Sequence, residues 1–501
     1  MSDSLSTPTT LDTSPPEPRA AGTGEARAAA ARAAVRARWR GVLPRLLPFA
    51  DAASEDLPWS RLLRLALFQV STGMALVLLN GTLNRVMIVE LGVPAALVAA
   101  MIAVPLLFAP FRALVGFRSD HHASAIGWRR VPYIWMGTLV QFGGFAIMPF
   151  ALLLLSGDGN APEWLARASA ALAFLLVGIG MHTAQTAGLA LATDLAPERK
   201  RPQVVALLYV MLLVGMFVSA IAFGALLSGF TQMKLIQVVQ GAALVTLVLN
   251  TVALWKQEAR RPDCNVGVER PAFATALAAW DRAARGRRFL VAVVLGTAAF
   301  GMQDILLEPY GAEVLGLSVS ATTLLTAILA GGGLAAFLAA AGLLQRGRHP
   351  VRLAAIGVLI GVVGFSAVIF AEPLLSAALF RIGTALIGFG AGLFAICTLV
   401  MAMTMVPREH VGLSLGAWGA AQATAAGLGI AAGGLLRDAV TELATSGALG
   451  AALQHPATGY SVVYHVEIAL LFATLVAIGP LVSQPLSRAT DEGFGLAEFP
   501  T

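Results

Sequence analysis

The chain has 501 residues, of which 57% are hydrophobic and only 12% are charged. A soluble domain carries about 25% charged residues, so the composition excludes an ordinary soluble protein and favours lipid as the solvent. The formal net charge is +6, but the basic residues occupy alternate loops between apolar segments, which marks topology and excludes a nucleic-acid-binding surface.

The N-terminal 57 residues are rich in Ser, Thr, Pro, Ala and Arg. Residues 1–25 have the composition of a disordered tail. Residues 26–49 alternate Ala with Arg before becoming Leu-rich, which fits either a solvated basic arm or a basic helix on an anionic membrane surface. We therefore predict a disordered, basic and cytoplasmic arm over residues 1–57.

Twelve apolar segments follow, each compatible with the roughly 20 residues that a helix needs to cross a bilayer. They cover about 62–89, 94–117, 131–155, 164–193, 203–229, 233–255, 289–311, 320–344, 351–371, 374–405, 410–436 and 461–482. A charged stretch between the sixth and seventh segments divides them six and six. The predicted domains are an N-terminal bundle, a cytoplasmic linker, a C-terminal bundle and a cytoplasmic tail, at residues 58–256, 257–288, 289–483 and 484–501.

Charged residues outside the segments predict the orientation. Arg and Lys concentrate in the arm, in the linker and in every second loop, whereas the remaining loops are mainly acidic. The positive-inside rule then places both termini in the cytoplasm.

An internal repeat relates the two groups of six segments. "VELGVP" (89–94) ends the first segment and "EVLGLS" (313–318) follows the seventh. Aligning Gly92 with Gly316 gives an offset of 224 residues, which pairs Asn80 with Asp304 and Asn84 with Glu308. Two parallel six-helix halves predict an all-α membrane protein with the pseudo-symmetric architecture of the major facilitator superfamily.

Polar residues inside the first and seventh segments are the candidate site. Two carboxylates, Asp304 and Glu308, are four residues apart, so one continuous helix would place them on the same face. A carboxylate facing lipid costs about 2.5–3.5 kcal/mol, so we expect them to face the bundle interior. They would line a central cavity or bond to neighbouring helix ends. The predicted cavity-lining set, in which Arg85 supplies the counter-charge, is Asn80, Asn84, Arg85, Gln303, Asp304 and Glu308.

A loop between the second and third segments is the second candidate. "GFRSD…GWRR" (116–130) resembles the superfamily's loop at that position, with Asp120, Arg129 and Arg130 as its charged residues, although the insertion "HHASAI" departs from the usual spacing. The resemblance implies a cytoplasmic gating loop.

Five further stretches are distinctive: "LNGTLNRVMIVELGVPAALVAAMI" (79–102), "PFRALVGFRSDHH" (110–122), "GWRRVPYIWMGTLVQFGG" (127–144), "GMHTAQTAGLALATDLAPE" (180–198) and "GMQDILLEPYGAEVLGLS" (301–318). They resemble the PucC/LhaA family, the bacteriochlorophyll-delivery members of this superfamily. The resemblance implies an assembly factor for light-harvesting antenna complexes in the photosynthetic inner membrane. It also implies bacteriochlorophyll, antenna polypeptides or late pigment-synthesis enzymes as partners. The long basic arm favours the LhaA branch, which serves the core antenna.

His182 is the candidate pigment ligand, because imidazole commonly ligates the magnesium of chlorophylls and "GIGMHTAQTAG" surrounds it with small residues. A neutral histidine bonded to another helix explains the same pattern. The sequence has no nucleotide motif and no Cys/His metal cluster, so we expect no enzyme. The fold and the buried acids taken alone would also suit a proton-coupled transporter of a small solute.

Overall fold

The computed structural model describes residues 57–107, 128, 130–157, 162–197, 200–258, 284–404, 411–455 and 457–482. Within those ranges the regular structure is helical, and twelve long helices account for most of it. The N-terminal half contains α1 Trp59–Glu90, α2 Ala95–Leu107, α3 Val131–Leu155, α4 Glu163–Leu195, α5 Arg201–Leu226 and α6 Gln232–Leu254. The C-terminal half contains α7 (Ala284–Met302, Gln303–Ile305 and Leu307–Glu313), α8 Val319–Gln345, α9 Pro350–Ala371, α10 Ala377–Thr404, α11 Val411–Thr445 and α12 Ala457–Val482.

Eleven of these helices are long and apolar enough to cross a membrane, and the described part of α2 is a shorter apolar helix. The helices coincide with the twelve predicted segments, which confirms the predicted fold class. The predicted arm 1–57, most of the linker 257–288 and the tail 484–501 lie outside the described residues, so the domain boundaries stay predictions.

Two helices differ from the sequence-based expectation. The eleventh segment was predicted to end at 436, but α11 continues to Thr445. Its first charged residues, Arg437 and Asp438, neutralise each other at 2.9 Å, so the helix passes through them without an unpaired charge. The seventh segment is not one continuous helix, since a 3₁₀ turn interrupts α7 at Gln303–Ile305.

The ends of the helices form two chemically different faces of the bundle. The end where α1, α3, α5, α7 and α9 begin is called the basic face, and it carries Arg61, Arg130, Arg201, Arg288 and Arg352. The end where α2, α4, α8, α10 and α12 begin is called the acidic face, and it carries Glu163, Glu313, Glu372, Asp438 and Glu442. The structure thus retains the charge asymmetry on which the predicted orientation rests.

The packing of the helices repeats between the halves. In the first half, α1 packs on α5 and α6, and α3 packs on α4 and α6. The corresponding contacts in the second half are α7 on α11 and α12, and α9 on α10 and α12. The halves meet mainly through α2 with α11 and through α5 with α8, which are themselves a symmetric pair. Twofold pseudo-symmetry therefore extends to the interface.

The two glycines that define the repeat end their helices in the same way. Gly92 has φ +64° and Gly316 has φ +63°, the left-handed conformation that favours glycine after a helix. The amide of Val93 donates to the carbonyl of Met87 at 2.9 Å, and that of Leu317 donates to the carbonyl of Gly311, also at 2.9 Å. These bonds are equivalent under the offset of 224 residues, so the structure supports that alignment.

Candidate functional site

The break in α7 exposes a backbone carbonyl to the other half of the molecule. Pro309 has no N–H, so it cannot donate to the carbonyl of Ile305 four residues earlier, as a regular helix would require. The side chain of Asn84 on α1 donates to this carbonyl instead, with Nδ2 and O 2.8 Å apart. The same Nδ2 lies 2.9 Å from the carbonyl of Asn80. Asn84 therefore satisfies a defect in the opposite half.

The helix α1 is also irregular at this level, because Val77–Leu83 and Val86–Glu90 are π-helical. Gly81 lies in the first of these segments and leaves space for the carboxylate of Glu308. A Cβ built on Gly81 would come within 2.4 Å of Oε1 of Glu308 and 3.1 Å of Oγ1 of Thr326. Thr326 on α8 donates to that same carboxylate oxygen at 2.5 Å. Glu308 is 2% exposed, so it is buried between α1 and α8.

Arg85 is the cation of the site. Its Nη1 forms an ion pair with Oε1 of Glu90 on the same helix, and its side chain is only 5% exposed. Arg85 also interacts electrostatically with Glu308. The sequence suggested Arg85 as the counter-charge of Asp304 and Glu308, whereas the ion pair that the structure contains is with Glu90.

Asp304 is directed to a different neighbour from Glu308. It is half-buried, accepts a hydrogen bond from Nε2 of Gln303 at 2.6 Å, and lies near Glu467 of α12. The shared face of Asp304 and Glu308 was predicted for one continuous helix, and a 3₁₀ turn at Gln303–Ile305 interrupts that helix. The two carboxylates consequently belong to two environments, one between the halves and one within the C-terminal half.

Glu467 is a residue that the sequence reasoning missed. It is 0% exposed, in the middle of an apolar helix. The sequence did contain a sign of it, since Glu467 is the single carboxylate of the apolar segment 461–482. A carboxylate inside a membrane segment is rare, as noted for Asp304 in the segment 289–311.

An aromatic cluster fixes the part of α7 beyond the break. The ring of Tyr310 lies 5.3 Å from Phe380, 5.4 Å from Tyr460 and 5.6 Å from Tyr464, measured between ring centroids. Such contacts are favourable in edge-to-face and tilted geometries. Beside the cluster, Arg437 bonds to Glu313 at 2.6 Å and to the hydroxyl of Tyr460 at 3.0 Å. The segment Leu307–Glu313 is therefore held firmly against α12 and α10.

Among the described residues, at least four hydrogen bonds cross between the halves near the acidic face. They join Thr82 to Thr323 at 3.3 Å, Asn84 to Ile305 at 2.8 Å, the amide of Ala96 to Asp438 at 2.7 Å, and Ser320 to the carbonyl of Gly224 at 2.5 Å. In each helix concerned, the bonded residue lies nearer the acidic end than the basic end. This polar seam ties the halves together on the acidic side.

The remaining predicted site residues lie apart from this seam. His182 is buried in α4 and is 7% exposed. Arg130 forms an ion pair with Asp194 at 3.1 Å, and its backbone N–H donates to Glu258 at 3.1 Å. Asp120 and Arg129 lie outside the described residues. The lining of a cavity, the pigment ligand and the gating loop stay predictions.

A separate pocket opens beside the acidic end of α1. It has a volume of about 140 Å³ and is lined in part by Val86, Glu90, Pro149, Leu152 and Leu235. Pockets that enclose small-molecule ligands usually measure about 300–1,000 Å³. This pocket is too small for a large ligand in the present conformation.

The polar seam is suited to a conformational role. Its four hydrogen bonds are buried or partly buried. The described residues contain no group of three or more His, Cys, Asp or Glu arranged to hold a metal ion. Buried polar contacts of this kind specify how two helical units meet.

Comparisons with known proteins agree over most of the chain. A family model described as PUCC protein matches residues 82–486. A Rhodobacter capsulatus protein named "Uncharacterized protein in puhA-bchM intergenic region" is 56% identical over 464 residues, which are 91% of this chain and 97% of that protein. Protein PucC of Rhodovulum sulfidophilum is 59% identical over 404 residues, which are 79% of this chain and 89% of that protein.

Solved structures of membrane transporters share the fold. A bacterial homologue of the human lysosomal transporter Spinster superposes with a TM-score of 0.60 at 14% identity, covering 84% of this chain and 95% of that chain. The nucleoside transporter NupG superposes with a TM-score of 0.57 at 16% identity, covering 83% of this chain and 98% of that one. At these identities the likeness establishes the major facilitator superfamily fold alone.

Proposed function

The chain belongs to the PucC family, and from this membership we propose that it assists the assembly of light-harvesting antenna complexes in a purple photosynthetic bacterium. The observation that carries the proposal is the match over residues 82–486, together with identities of 56% and 59% to relatives of which 97% and 89% are covered. The quoted sequence stretches resemble the same family and include the helix break in α7.

The finer proposal is that the protein handles bacteriochlorophyll and delivers it to antenna polypeptides, with the core antenna as the client. The apolar surface of the bundle supports this, since side chains such as Met136, Phe150 and Trp164 are 62%, 67% and 70% exposed. Such a surface suits contact with a pigment or an antenna helix. Late enzymes of pigment synthesis would supply the cargo. We propose no catalytic step for the chain itself.

The proposed location is the photosynthetic inner membrane, with the basic face in the cytoplasm. The charge difference between the two faces supports this orientation through the positive-inside rule. Both termini would then be cytoplasmic, and the polar seam would lie toward the periplasmic side. The loop that carries Asp120, Arg129 and Arg130 would be cytoplasmic and would gate that side.

The candidate pigment ligand, His182, would need a structural change before it could bind a tetrapyrrole. Neighbouring side chains already cover it, because it is 7% exposed. The polar set around Asn80, Asn84, Arg85, Gln303, Asp304 and Glu308 would control that change by holding or releasing the two halves. This role makes the seam a conformational element of pigment handling.

The experiment is deletion of the gene in its photosynthetic host, followed by complementation. We expect near-infrared spectra of the membranes to lose antenna absorption while extractable pigment is still made. The wild-type gene should restore the antenna, and a His182→Leu variant that accumulates normally should fail to do so if His182 ligates pigment. Normal antenna levels in the deletion strain would overturn the proposed function.

A proton-coupled transporter of a small solute is the second candidate, favoured by the fold shared with solved transporters and by the buried carboxylates. In that case the deletion strain would retain its antenna and lose uptake of a soluble metabolite. The deletion strain therefore distinguishes the two functions, by loss of the antenna or by loss of metabolite uptake.

A further inference from the structure

The pocket beside the acidic end of α1 lies where three helices end at one surface of the bundle. Glu90 is the last residue of α1, Ser156 directly follows α3, and Gln232 is the first residue of α6. These three residues are the polar part of the pocket lining. The polar groups of the pocket are therefore gathered at the acidic face, and we call them the polar rim.

The rest of the lining is apolar, and its deepest members belong to α3 and α6. Pro149 lies six residues before the end of α3, or about 9 Å along the helix at 1.5 Å per residue. Ile236 lies four residues into α6, or about 6 Å. The full apolar lining is Val86, Leu91, Pro149, Leu152, Leu153, Phe230, Leu235 and Ile236. The pocket thus changes from polar at the surface to apolar inside, which is the order of groups in a membrane lipid.

Two irregular helix segments leave this space open. Val86–Glu90 of α1 is π-helical, and Pro149 lies inside α3, where it has no N–H to donate to the carbonyl of Phe145. Both features depart from a straight α-helix, so the neighbouring helices cannot pack closely here. Leu153 lines the pocket and is 37% exposed, which shows that the pocket reaches the outer surface of the bundle.

The volume of the pocket, about 140 Å³, suits a segment of an apolar chain. An apolar cavity of about 150 Å³ holds one benzene molecule, so this pocket has room for about six carbon atoms. The helices that form it are long and apolar enough to cross a bilayer. Lipid chains are consequently the apolar groups that surround its opening at the highest concentration.

Glu90 determines which head group suits the polar rim. Its Oε1 is paired with Nη1 of Arg85, and its Oε2 accepts no hydrogen bond from a described residue. The side-chain amide of Gln232 likewise has no hydrogen-bond partner among the described residues. Carboxylates form strong charge-assisted hydrogen bonds with ammonium N–H groups. The rim therefore offers an anionic acceptor and an amide acceptor to a donor that arrives with the chain.

We propose that this pocket binds a membrane lipid with a primary ammonium head group, of the phosphatidylethanolamine type. The ammonium donates to Oε2 of Glu90 and to Oε1 of Gln232. A segment of one acyl chain enters beside Leu153 and fills the apolar part of the pocket. The phosphodiester and the glycerol remain outside, in the head-group layer of the bilayer.

The proposed site adjoins the contact between the two halves. Arg85 is paired with Glu90 and also interacts electrostatically with Glu308, which bonds to Thr326 of α8. A lipid ammonium on Glu90 shares that carboxylate with Arg85, so the lipid and the interface act on the same ion pair. The inference needs neither a pigment nor an antenna polypeptide, and it is independent of the proposed assembly role.

The test is native mass spectrometry of the purified full chain in detergent, titrated separately with dioleoyl phosphatidylethanolamine, phosphatidylcholine and phosphatidylglycerol. We expect the wild type to bind its first phosphatidylethanolamine with a Kd about fivefold lower than that of phosphatidylcholine, whose ammonium has no N–H. Phosphatidylglycerol, which is anionic, should bind no better than phosphatidylcholine. Glu90→Gln keeps the size of the side chain and removes its charge, so it should bring phosphatidylethanolamine and phosphatidylcholine within about twofold of each other.

Filling the pocket tests the apolar part separately. Leu153→Trp should weaken phosphatidylethanolamine binding by about fivefold, because the indole occupies the space of the chain. The matched control is Leu139→Trp on α3, a similarly exposed leucine that does not line the pocket, and it should bind like the wild type.

Two further variants keep the proposal falsifiable. Glu442→Gln, an exposed acid at the acidic face outside the pocket lining, should retain the preference for phosphatidylethanolamine. If Glu90→Gln aggregates, Gln232→Leu tests the same rim without breaking the ion pair of Arg85, and it should reduce the preference. Equal binding of the three lipids by the wild type overturns the proposal, as does a preference that survives Leu153→Trp together with the rim variant.

Discussion

The first helix of each half, α1 and α7, shows how a duplicated scaffold has diverged. Both end in a left-handed glycine, at Gly92 and Gly316, with equivalent hydrogen bonds. At matching positions their winding is opposite, because Val77–Leu83 of α1 is a wide π-helix and Gln303–Ile305 of α7 is a tight 3₁₀ turn. Irregular helical turns of both kinds are frequent at functional sites.

The difference makes the two helices complementary. Small Gly81 on α1 accommodates Glu308 of α7, and Asn84 of α1 bonds to the carbonyl that Pro309 leaves free in α7. Under the repeat, Arg85 corresponds to Pro309, so the cation is present in one half and the helix breaker in the other. Contacts between non-equivalent residues hold the symmetric bundles together, and each can be tested by substitution in one helix.

Removal of the cation should have the largest effect. Arg85→Gln leaves Glu308 buried without its nearby positive charge and breaks the pair with Glu90. Breaking a buried pair costs about 3–5 kcal/mol. We expect Arg85→Gln to lower the free energy of unfolding by about 3 kcal/mol, the low end of that range, because Glu90 is 40% exposed and water screens its charge. Denaturation in mixed detergent micelles measures the loss.

The matched control for Arg85 is Arg167→Gln, which breaks an ion pair with Glu163 on the surface of α4. Exposed pairs contribute about 0–1 kcal/mol, so this variant should remain close to the wild type. Equal losses of unfolding free energy in Arg85→Gln and Arg167→Gln would show that Arg85 does not stabilise the interface.

A methyl group on α1 should have the next largest effect. Gly81→Ala places Cβ within 2.4 Å of Oε1 of Glu308, so either the carboxylate or the helix must shift. Overpacking lowers the free energy of unfolding by about 1–3 kcal/mol, and we expect a loss of about 2 kcal/mol for Gly81→Ala. The control is Gly143→Ala on α3, where nothing lies within 4 Å of the added Cβ. A loss at Gly143 as large as at Gly81 would refute steric contact with Glu308 as the cause.

The sequence predicted the helices better than it predicted the site. Apolar length and alternating charge located all twelve segments, because crossing a bilayer constrains every residue of a helix. The candidate site depends instead on the break in α7 at Gln303–Ile305. Sequence periodicity could not predict it, because periodicity assumes a regular helix. Pro309 was visible in the sequence, but its partner Asn84 is in the other half and is brought near only by folding. Glu467 was visible as the lone carboxylate of its segment, but its electrostatic interaction with Asp304 arises only when the chain folds.

The hydrogen bond from Asn84 to Ile305 should contribute less than the charge and the close packing. Asn84→Leu leaves the carbonyl of Ile305 buried without its donor, which costs about 1.5 kcal/mol. Pro309→Ala restores a backbone N–H that can donate to the same carbonyl. The double variant should therefore be more stable than the sum of the single losses predicts, which a double-mutant cycle measures. Strict additivity would show that Pro309 does not create the need for Asn84.

The smallest expected effects belong to the features that the two helices share. Gly92→Ala and Gly316→Ala should each cost about 1 kcal/mol, because both backbones are left-handed and an L-residue is strained there. Nothing lies within 4 Å of a Cβ at either position, so steric contact adds nothing. Gly342→Ala, inside α8 with equally open space and an ordinary φ, should instead be neutral or slightly stabilising. Unfolding midpoints of the three variants measure this, and equal shifts at Gly92 and Gly316 are required. If the midpoints of Gly92→Ala and Gly316→Ala shifted by clearly different amounts, the two glycine helix ends would share a geometry but differ in energy.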